Sequence, residues 1–285
     1  MQKQNKPFVS VLMPAYNAEK YIELAIESIL NQTYENFEFI IVDDCSTDST
    51  NKIIKKYSIK DKRIKLLRNK INSGVAKSLN NGLKICKGKY IVRMDSDDWS
   101  YPNRIEKQVK YMEKNPEISV SGGATVVCNE KLNPIGIRHY PTEDSKIRES
   151  ILRLNPIAHP ASIWRKDDLL KTQFYPHITG AEDYALIIEL SSFSKLGNIP
   201  EILIKFRVHT KSVSNSAIVL QQKVSLYISD MAVYEYGYKP TSKDKIWRLI
   251  QKISMYTLPP KFKRFLLNTL VLDKDLSKIP TFSQT

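Results

Sequence analysis

The apolar positions of roughly the first 130 residues switch repeatedly between two spacings. Residues 9–13 and 37–42 are short runs rich in Val, Ile and Phe, and Pro14 closes the first. Such runs read as strands. Between them Tyr21, Ile22, Ala25, Ile26, Ile29 and Leu30 recur three and four apart, which predicts a helix over 18–32 with one buried face. Ser46, Thr47, Asp48 and Ser49 offer N-caps for a second helix carrying Ile53, Ile54 and Tyr57. The pattern continues with a strand at 64–67, a helix at 75–86 ended by Lys87 and Gly88, and a strand at 90–94. A helix at 103–114 stops before Pro116, and a strand at 119–127 follows. Strands separated by helices of about 10–15 residues form βαβ units, so the expected fold is α/β, with a Rossmann-like, mostly parallel sheet flanked by helices.

The second half is less regular. A strand is expected at 161–164, a helix at 182–193 and a strand at 201–208, with a helical, basic stretch from about 219 to the end. We therefore expect a catalytic domain over 1–215, with a nucleotide-binding half to about 130 and an acceptor half over 131–215, and a helical extension over 216–285.

Composition narrows the class. The chain is 42% hydrophobic and 26% charged, enough for a packed core. Cys45, Cys86 and Cys128 are widely spaced and form no CxxC pair, which speaks against a thiolate metal site or a disulfide framework and for a reducing, cytoplasmic setting. Residues 1–7 are polar, so no signal peptide is expected. No run approaches the roughly 18 apolar residues of a membrane-spanning helix.

The net charge of +14 is unevenly spread, because residues 201–285 carry 14 Lys+Arg against 6 Asp+Glu. Such an excess suits nucleic acid, an anionic lipid surface or a phosphorylated substrate. Lys243, Lys245, Arg248, Lys252, Lys261, Lys263 and Arg264 are interleaved with Ile246, Trp247, Leu249, Ile250, Ile253 and Met255, then Phe262, Phe265, Leu266 and Leu267. That mixture suits a helix lying at an anionic membrane surface, with the protein peripheral at the inner face of a bacterial membrane. The alternative is an apolar stripe packed on the catalytic domain or on a partner chain.

The candidate chemistry sits where strands end. Ligands of an open parallel sheet bind beyond its C-terminal strand ends, and three polar clusters fall there: Pro14, Tyr16 and Asn17; Asp43 and Asp44; and Asp95, Ser96, Asp97 and Asp98. Three carboxylates within four residues call for a counter-charge, and carboxylate oxygens suit Mg²⁺ or Mn²⁺. They equally suit a solvated loop before the next helix. Asp43 and Asp44 can close a turn or accept from a nucleobase N–H, and Asn17 can cap the following helix. Asn72 and Gly74 open a helix whose first N–H groups favour an anion. Neither GxGxxG nor GxxxxGK[ST] is present, so dinucleotide and P-loop sites lack their signatures. Glu182 and Asp183 start a helix, where they can offset the dipole or supply a general base. Arg207, His209 and Lys211 form a set suited to a diphosphate and its metal.

Taken in order over residues 8–214, these strings resemble the family 2 glycosyltransferases of GT-A fold. The matches are the run 9–17, 28–33, 41–48, Asn72 with Gly74, Asn80 with Gly82, 88–91, 95–98, Glu182 with Asp183, and Arg207 with His209. The string from Arg93 to Trp99, with Pro102, Arg104 and Gln108, is similar to the branch that builds bacterial capsule, exopolysaccharide and lipopolysaccharide. The resemblance implies a nucleotide-sugar donor, UDP-linked by preference, and a saccharide or lipid-linked saccharide acceptor. It implies that Tyr16 and Asp44, with Asp43 a weaker candidate, contact the base, that Asp95 approaches the ribose, and that Pro14, Asn17, Asn72, Gly74, Lys77, Ser96 and Arg207 belong to the donor-binding set. Asp97 and His209 would hold Mn²⁺ or Mg²⁺, with Asp98 an alternative ligand. Asp183 would be the catalytic base of a single inverting displacement, with Glu182 nearer the acceptor.

Two departures stand out. The Gln-x-x-Arg-Trp string of the family's processive synthases is absent, which favours single additions. Leu79 stands where the family often has Arg, leaving Lys77 as the nearby cation. A nucleic-acid-binding protein or a non-catalytic relative is the alternative reading, but no zinc-finger spacing, RRM-like string or clear helix-turn-helix supports nucleic acid as a partner. A nucleotidyltransferase would bring a glycine-rich phosphate loop, and residues 14–17 are not one.

Overall fold

The computed structural model describes residues 6–176, 178, 180–209, 218–259 and 272–280. Lys211 and residues 261–267 of the basic tail lie outside the described residues. The first half follows the predicted alternation with one short strand, β5, added: β1 (Val9–Ala15), α1 (Ile22–Leu30), β2 (Phe37–Asp43), α2 (Thr50–Lys60), β3 (Ile64–Arg68), α3 (Val75–Leu83), β4 (Tyr90–Arg93), β5 (Trp99–Ser100) and α4 (Arg104–Lys114). Then come β6 (Ile118–Cys128), β7 (Pro134–Arg138), α5 (Asp144–Ser150), a 3₁₀ turn (His159–Ala161), β8 (Ile163–Arg165), α6 (Lys166–Leu169), α7 (Glu182–Ser191) and β9 (Lys195–Arg207). The chain continues with α8 (Ile218–Tyr234), α9 (Ser242–Thr257) and β10 (Leu272–Asp273), a strand in a stretch expected to be helical.

One sheet runs β10-β7-β6-β8-β4-β1-β2-β3, with β9 paired to β6 and β5. β3, β2, β1 and β4 are mutually parallel, as expected of βαβ units. Beyond β4 the sheet is mixed: β8 is antiparallel to β4 and β6, while β9 runs parallel to β6. Pro14 does not end β1. Odd residues of β1 bond to β2, since Val9 N–H donates to Asn36 and Ala15 accepts from Asp44, while the carbonyl of Leu12 faces β4 and accepts from Met94. Pro14 therefore faces the β4 side, where β4 has already ended opposite Leu12, and its missing donor costs no ladder bond.

The two sheet faces carry separate cores, as the strand pleat requires. Val9, Val11, Met13, Phe39 and Ile41 pack with Ile22, Ile26 and Ile29 of α1 and with Ile105 and Val109 of α4. Leu12, Ile40 and Val42 pack on the other face with Leu79 and Leu83 of α3, Leu186, Ile187 and Leu190 of α7, and Ile228 and Ala232 of α8. α8 thus completes a core, and β10 pairs antiparallel with β7 at the sheet edge. Among the described residues no helix is long and apolar enough to cross a membrane.

Candidate active site

Loops leave the C-terminal ends of β1, β2, β3 and β4 together, because the four strands are parallel and in register. The three polar clusters accordingly share one rim. The first two loops are laced to each other. Asn17 adopts φ +47°, its Oδ1 accepts the Thr47 N–H at 2.9 Å, and its own N–H donates to Ser46 Oγ at 3.0 Å. It ties two loops instead of capping α1, whose N-cap is Tyr21 without a side-chain bond. Tyr16 stands beside it, 48% exposed.

Asp43 and Asp44 part company. Asp43 is fully buried and closes the turn into α2, accepting from Ser46 N–H at 3.0 Å and Asn51 Nδ2 at 2.8 Å and pairing with Arg68 Nε at 3.2 Å. Asp44 turns to the next loop. It accepts from Asn69 Nδ2 at 2.7 Å, Ser73 N–H at 2.9 Å and Gly74 N–H at 2.8 Å. Gly74 sits at φ +83°, a conformation that favours glycine. The anion at the start of α3 is therefore the chain's own Asp44, assisted by Asn72 Oδ1 at 3.2 Å from the Gly74 N–H. Lys77 is exposed on the first turn of α3.

After β4, Asp95, Asp97 and Asp98 bring one carboxylate oxygen each to within 4.8 Å of one another. Three basic groups answer them. Arg93, buried in β4, lies 2.5 Å from Asp95. His209 Nε2 lies 2.9 Å from Asp97 Oδ2. Arg207 donates its backbone N–H to Asp98 Oδ1 at 2.8 Å and its Nε to the Asp97 carbonyl at 2.6 Å. Asp98 Oδ2 remains buried without a partner. Burial, then the charges of Asp97 and Asp95, hold the Asp98 carboxyl well above the usual carboxylate range. An orphaned carboxylate oxygen among two further carboxylates is a donor set that a hard divalent cation would complete, so the residues fit such an ion. Ser96 is half-buried between them.

Tyr21 supports the basic side. Its ring lies 4.9 Å from the His209 ring, the Arg207 guanidinium sits 4.6 Å over its face, and its hydroxyl donates to Glu130 at 2.6 Å. Arg207 also donates to the Glu130 carbonyl. In the sequence Tyr21 reads only as an apolar helix position, and nothing in its spacing marks this use.

Glu182 and Asp183 open α7. Glu182 is buried and accepts the Gly180 N–H at 3.0 Å; Asp183 Oδ2 accepts from Asn155 Nδ2 at 2.7 Å. Burial first, and the Glu182 charge second, push Asp183 up to about 7. The charge of Arg93 acts on both groups in the opposite sense, which places the start of α7 within electrostatic reach of the cation that pairs with Asp95. Asn80 fixes the approach to α7, donating to the Tyr175 carbonyl at 2.8 Å and accepting its N–H at 3.1 Å. The Tyr175 hydroxyl lies 2.9 Å from His159 Nε2, and burial holds His159 neutral. Sequence reading missed Asn155 and His159, which fall in none of the strings that carry the resemblance. A signal for Arg93 did exist, since a cation in a buried strand next to three carboxylates requires an acidic partner.

Comparison with known proteins identifies the family and the fold. The sequence pattern of glycosyl transferase family 2 matches residues 10–174. The chain belongs to glycosyl transferase family 2. An uncharacterized glycosyltransferase of Haemophilus influenzae is 42% identical over 225 residues, spanning 74% of this chain and 69% of the relative. The O-antigen biosynthesis glycosyltransferase WbnJ of Escherichia coli is 34% identical over 76% of this chain and 86% of its own. Among solved structures, Staphylococcus aureus TarS 1-349 in complex with UDP superposes with a TM-score of 0.59 at 20% identity, over 91% of this chain and 78% of that one. The mannosyltransferase PcManGT of Pyrobaculum calidifontis, in complex with GDP-Man and Mn²⁺, gives 0.60 at 14% identity, over 94% and 86%. The fold of this family 2 glycosyltransferase is GT-A, and its relatives include enzymes of bacterial polysaccharide synthesis.

Proposed function

We propose that this glycosyltransferase moves a sugar from a nucleoside diphosphate donor, UDP-linked by preference, to a hydroxyl of a saccharide or lipid-linked saccharide in bacterial surface polysaccharide or glycolipid synthesis, by one inverting displacement. The observation that carries the reading is the separation of two kinds of carboxylate. Asp95, Asp97 and Asp98 are gathered with Arg207 and His209, while Asp183, at the start of α7, is pushed up to about 7 and accepts from Asn155 at its Oδ2. The first group suits a diphosphate with its cation, and the second suits a proton acceptor working near neutral pH.

In this reading Tyr16 and Asp44 lie at the base, Asp95 at the ribose, and Asp97 with His209 at the metal, with Asp98 a further ligand. A bound Mn²⁺ or Mg²⁺ would offset the negative charge that grows on the departing diphosphate. Arg207, held by Tyr21 and by the backbone at 97 and 130, keeps its cationic plane against the same charge. Asp183 takes the proton of the acceptor hydroxyl as that oxygen bonds to the anomeric carbon and the diphosphate leaves from the opposite face. The proton rests on Asp183, the electron pair of the broken bond rests on the diphosphate, and no covalent enzyme intermediate forms. The relatives give independent support: TarS is solved with UDP and with UDP-GlcNAc, and PcManGT with Mn²⁺.

Calorimetric titration of UDP and GDP into the protein, with Mn²⁺ and then with EDTA, tests the reading. Metal-dependent binding of UDP is the expected result. Absence of binding by either nucleotide in either condition would overturn the donor assignment.

A further inference from the structure

The contacts of α9 with the described residues lie along one side. Thr241 and Asp244 form a capping box, Asp244 is buried and pairs with Arg153, Trp247 Nε1 donates to the Arg153 carbonyl at 3.0 Å, and Arg248 pairs with Asp230 of α8. The opposite side presents Ile246, Leu249, Ile250 and Ile253, which are 59%, 58%, 51% and 53% exposed. Their spacing of three, four and seven makes one continuous stripe. At about 100° per residue, Lys243 flanks the stripe on one side and Lys245 and Lys252 flank it on the other. A folded surface rarely leaves such an apolar run uncovered without a partner.

Two further observations bear on the partner. The first is charge: the lysine rows border the stripe itself, within a region of 14 basic against 6 acidic residues. A second copy of the chain docked face to face would oppose lysine to lysine, whereas anionic headgroups would match both rows while the aliphatic stripe enters the headgroup boundary. The second is position. Leu152 accepts from Ser229 of α8, Arg153 holds α9, and Asn155 donates to Asp183. A single residue, Leu154, separates the anchor of α9 from the group bonded to Asp183.

We propose that the Ile246, Leu249, Ile250 and Ile253 face of α9, with its lysine borders, docks on an anionic lipid bilayer. It rests on the transfer reading in one respect: the segment 152–155 then places the acceptor side of the site beside the membrane, where a lipid-linked saccharide is presented.

The test is co-sedimentation of the full chain with phosphatidylcholine vesicles and with equimolar phosphatidylcholine–phosphatidylglycerol vesicles. Wild type is expected to pellet with the anionic vesicles alone. The Leu249→Glu/Ile250→Glu variant, and separately the Lys243→Glu/Lys245→Glu/Lys252→Glu variant, should lose at least about tenfold in vesicle affinity. All five positions are exposed, so circular dichroism should show both variants folded. No binding by wild type, or undiminished binding by the Leu249→Glu/Ile250→Glu variant, overturns the proposal. So does a wild-type dimer, seen by light scattering, that this variant splits while vesicles capture neither. UDP titration of the same preparations reads the transfer site separately: missing UDP binding counts against the donor reading alone, and missing vesicle binding counts against this surface alone.

Discussion

Asp183 offers the sharpest test of the proposed chemistry, because its environment sets a pH at which it stops working. Burial and the neighbouring Glu182 charge raise it from an ordinary 3.8 to about 7. A base must be ionised to accept a proton, so kcat/KM should be nearly flat above pH 8 and fall about tenfold per unit below pH 6. Between pH 7 and pH 6 the ionised fraction drops from about one half to about one tenth, a fall of about fivefold. Asn155 tunes this limb. Its Nδ2 donates to Asp183 Oδ2 at 2.7 Å and so favours the carboxylate. A hydrogen bond to a charged group contributes about 1.5 kcal/mol or more, and one pKa unit is about 1.4 kcal/mol, so Asn155→Ala should move the acidic limb up by about one unit. The assay is sugar transfer across pH 5–9 at low donor, for wild type and Asn155→Ala. A limb that stays in place, or wild-type turnover by Asp183→Asn, would refute the assignment. Stability supplies an independent readout. A carboxyl with a raised folded-state pKa binds protons more tightly folded than unfolded, so it destabilises the fold as pH rises from about 4 through about 7. Asp183→Asn should therefore raise Tm at pH 8 and leave it nearly unchanged at pH 4.

Three other outcomes are expected. Asp97→Ala removes the carboxylate that meets His209 and should weaken Mn²⁺-dependent UDP binding by at least about tenfold; calorimetry showing the wild-type affinity would remove Asp97 from the metal set. Tyr21→Leu deletes the ring beneath Arg207 and His209 and should weaken the same binding by about tenfold with Tm little changed, whereas Tyr21→Phe keeps the ring and should stay within about threefold; equal losses in the two variants would place the effect in the Glu130 bond instead. Gly88→Ala would set a Cβ 2.3 Å from the Ser10 nitrogen and 2.8 Å from the Tyr90 carbonyl oxygen, both backbone, so no rotamer relieves it. A cost of about 3 kcal/mol corresponds to a fall of about 6–12 °C in Tm, and a calorimetric scan matching wild type would contradict the packing.

The elements that could be read in the chain are those made by local spacing. β1 through β4 with their helices, and α4, carry their apolar residues at strand or helix periods, and the period alone dictates which side chains share a face. The polar clusters after β1, β2 and β4 were visible as clusters for the same reason, and the parallel order of those strands then brings them to one rim. β5 and β7 were not visible. Trp99–Ser100 is a strand only because β9 passes beside it, and Pro134–Arg138 only because β6 and β10 flank it. Pairing energy between distant segments leaves no mark on a run of two to five residues.

The same division holds within the site. By itself the sequence determined the α/β architecture, the family, and the residue types at the strand ends, since each is written in contiguous strings. Only the tertiary structure decided what each carboxylate does. Asp43 and Asp44 are adjacent and alike as residues, yet one closes the α2 turn and the other holds the loop before α3, because the pleat sends neighbours to opposite faces. Tyr21 became the support of Arg207 and His209, Asn155 the donor to Asp183, and one face of α9 an open stripe, through contacts between segments far apart in the chain. A protonation state is set in the same way: Asp183 sits near 7 because packing removes water from it and leaves Glu182 beside it, and desolvation is a property of the fold around a residue that its place in the chain does not carry.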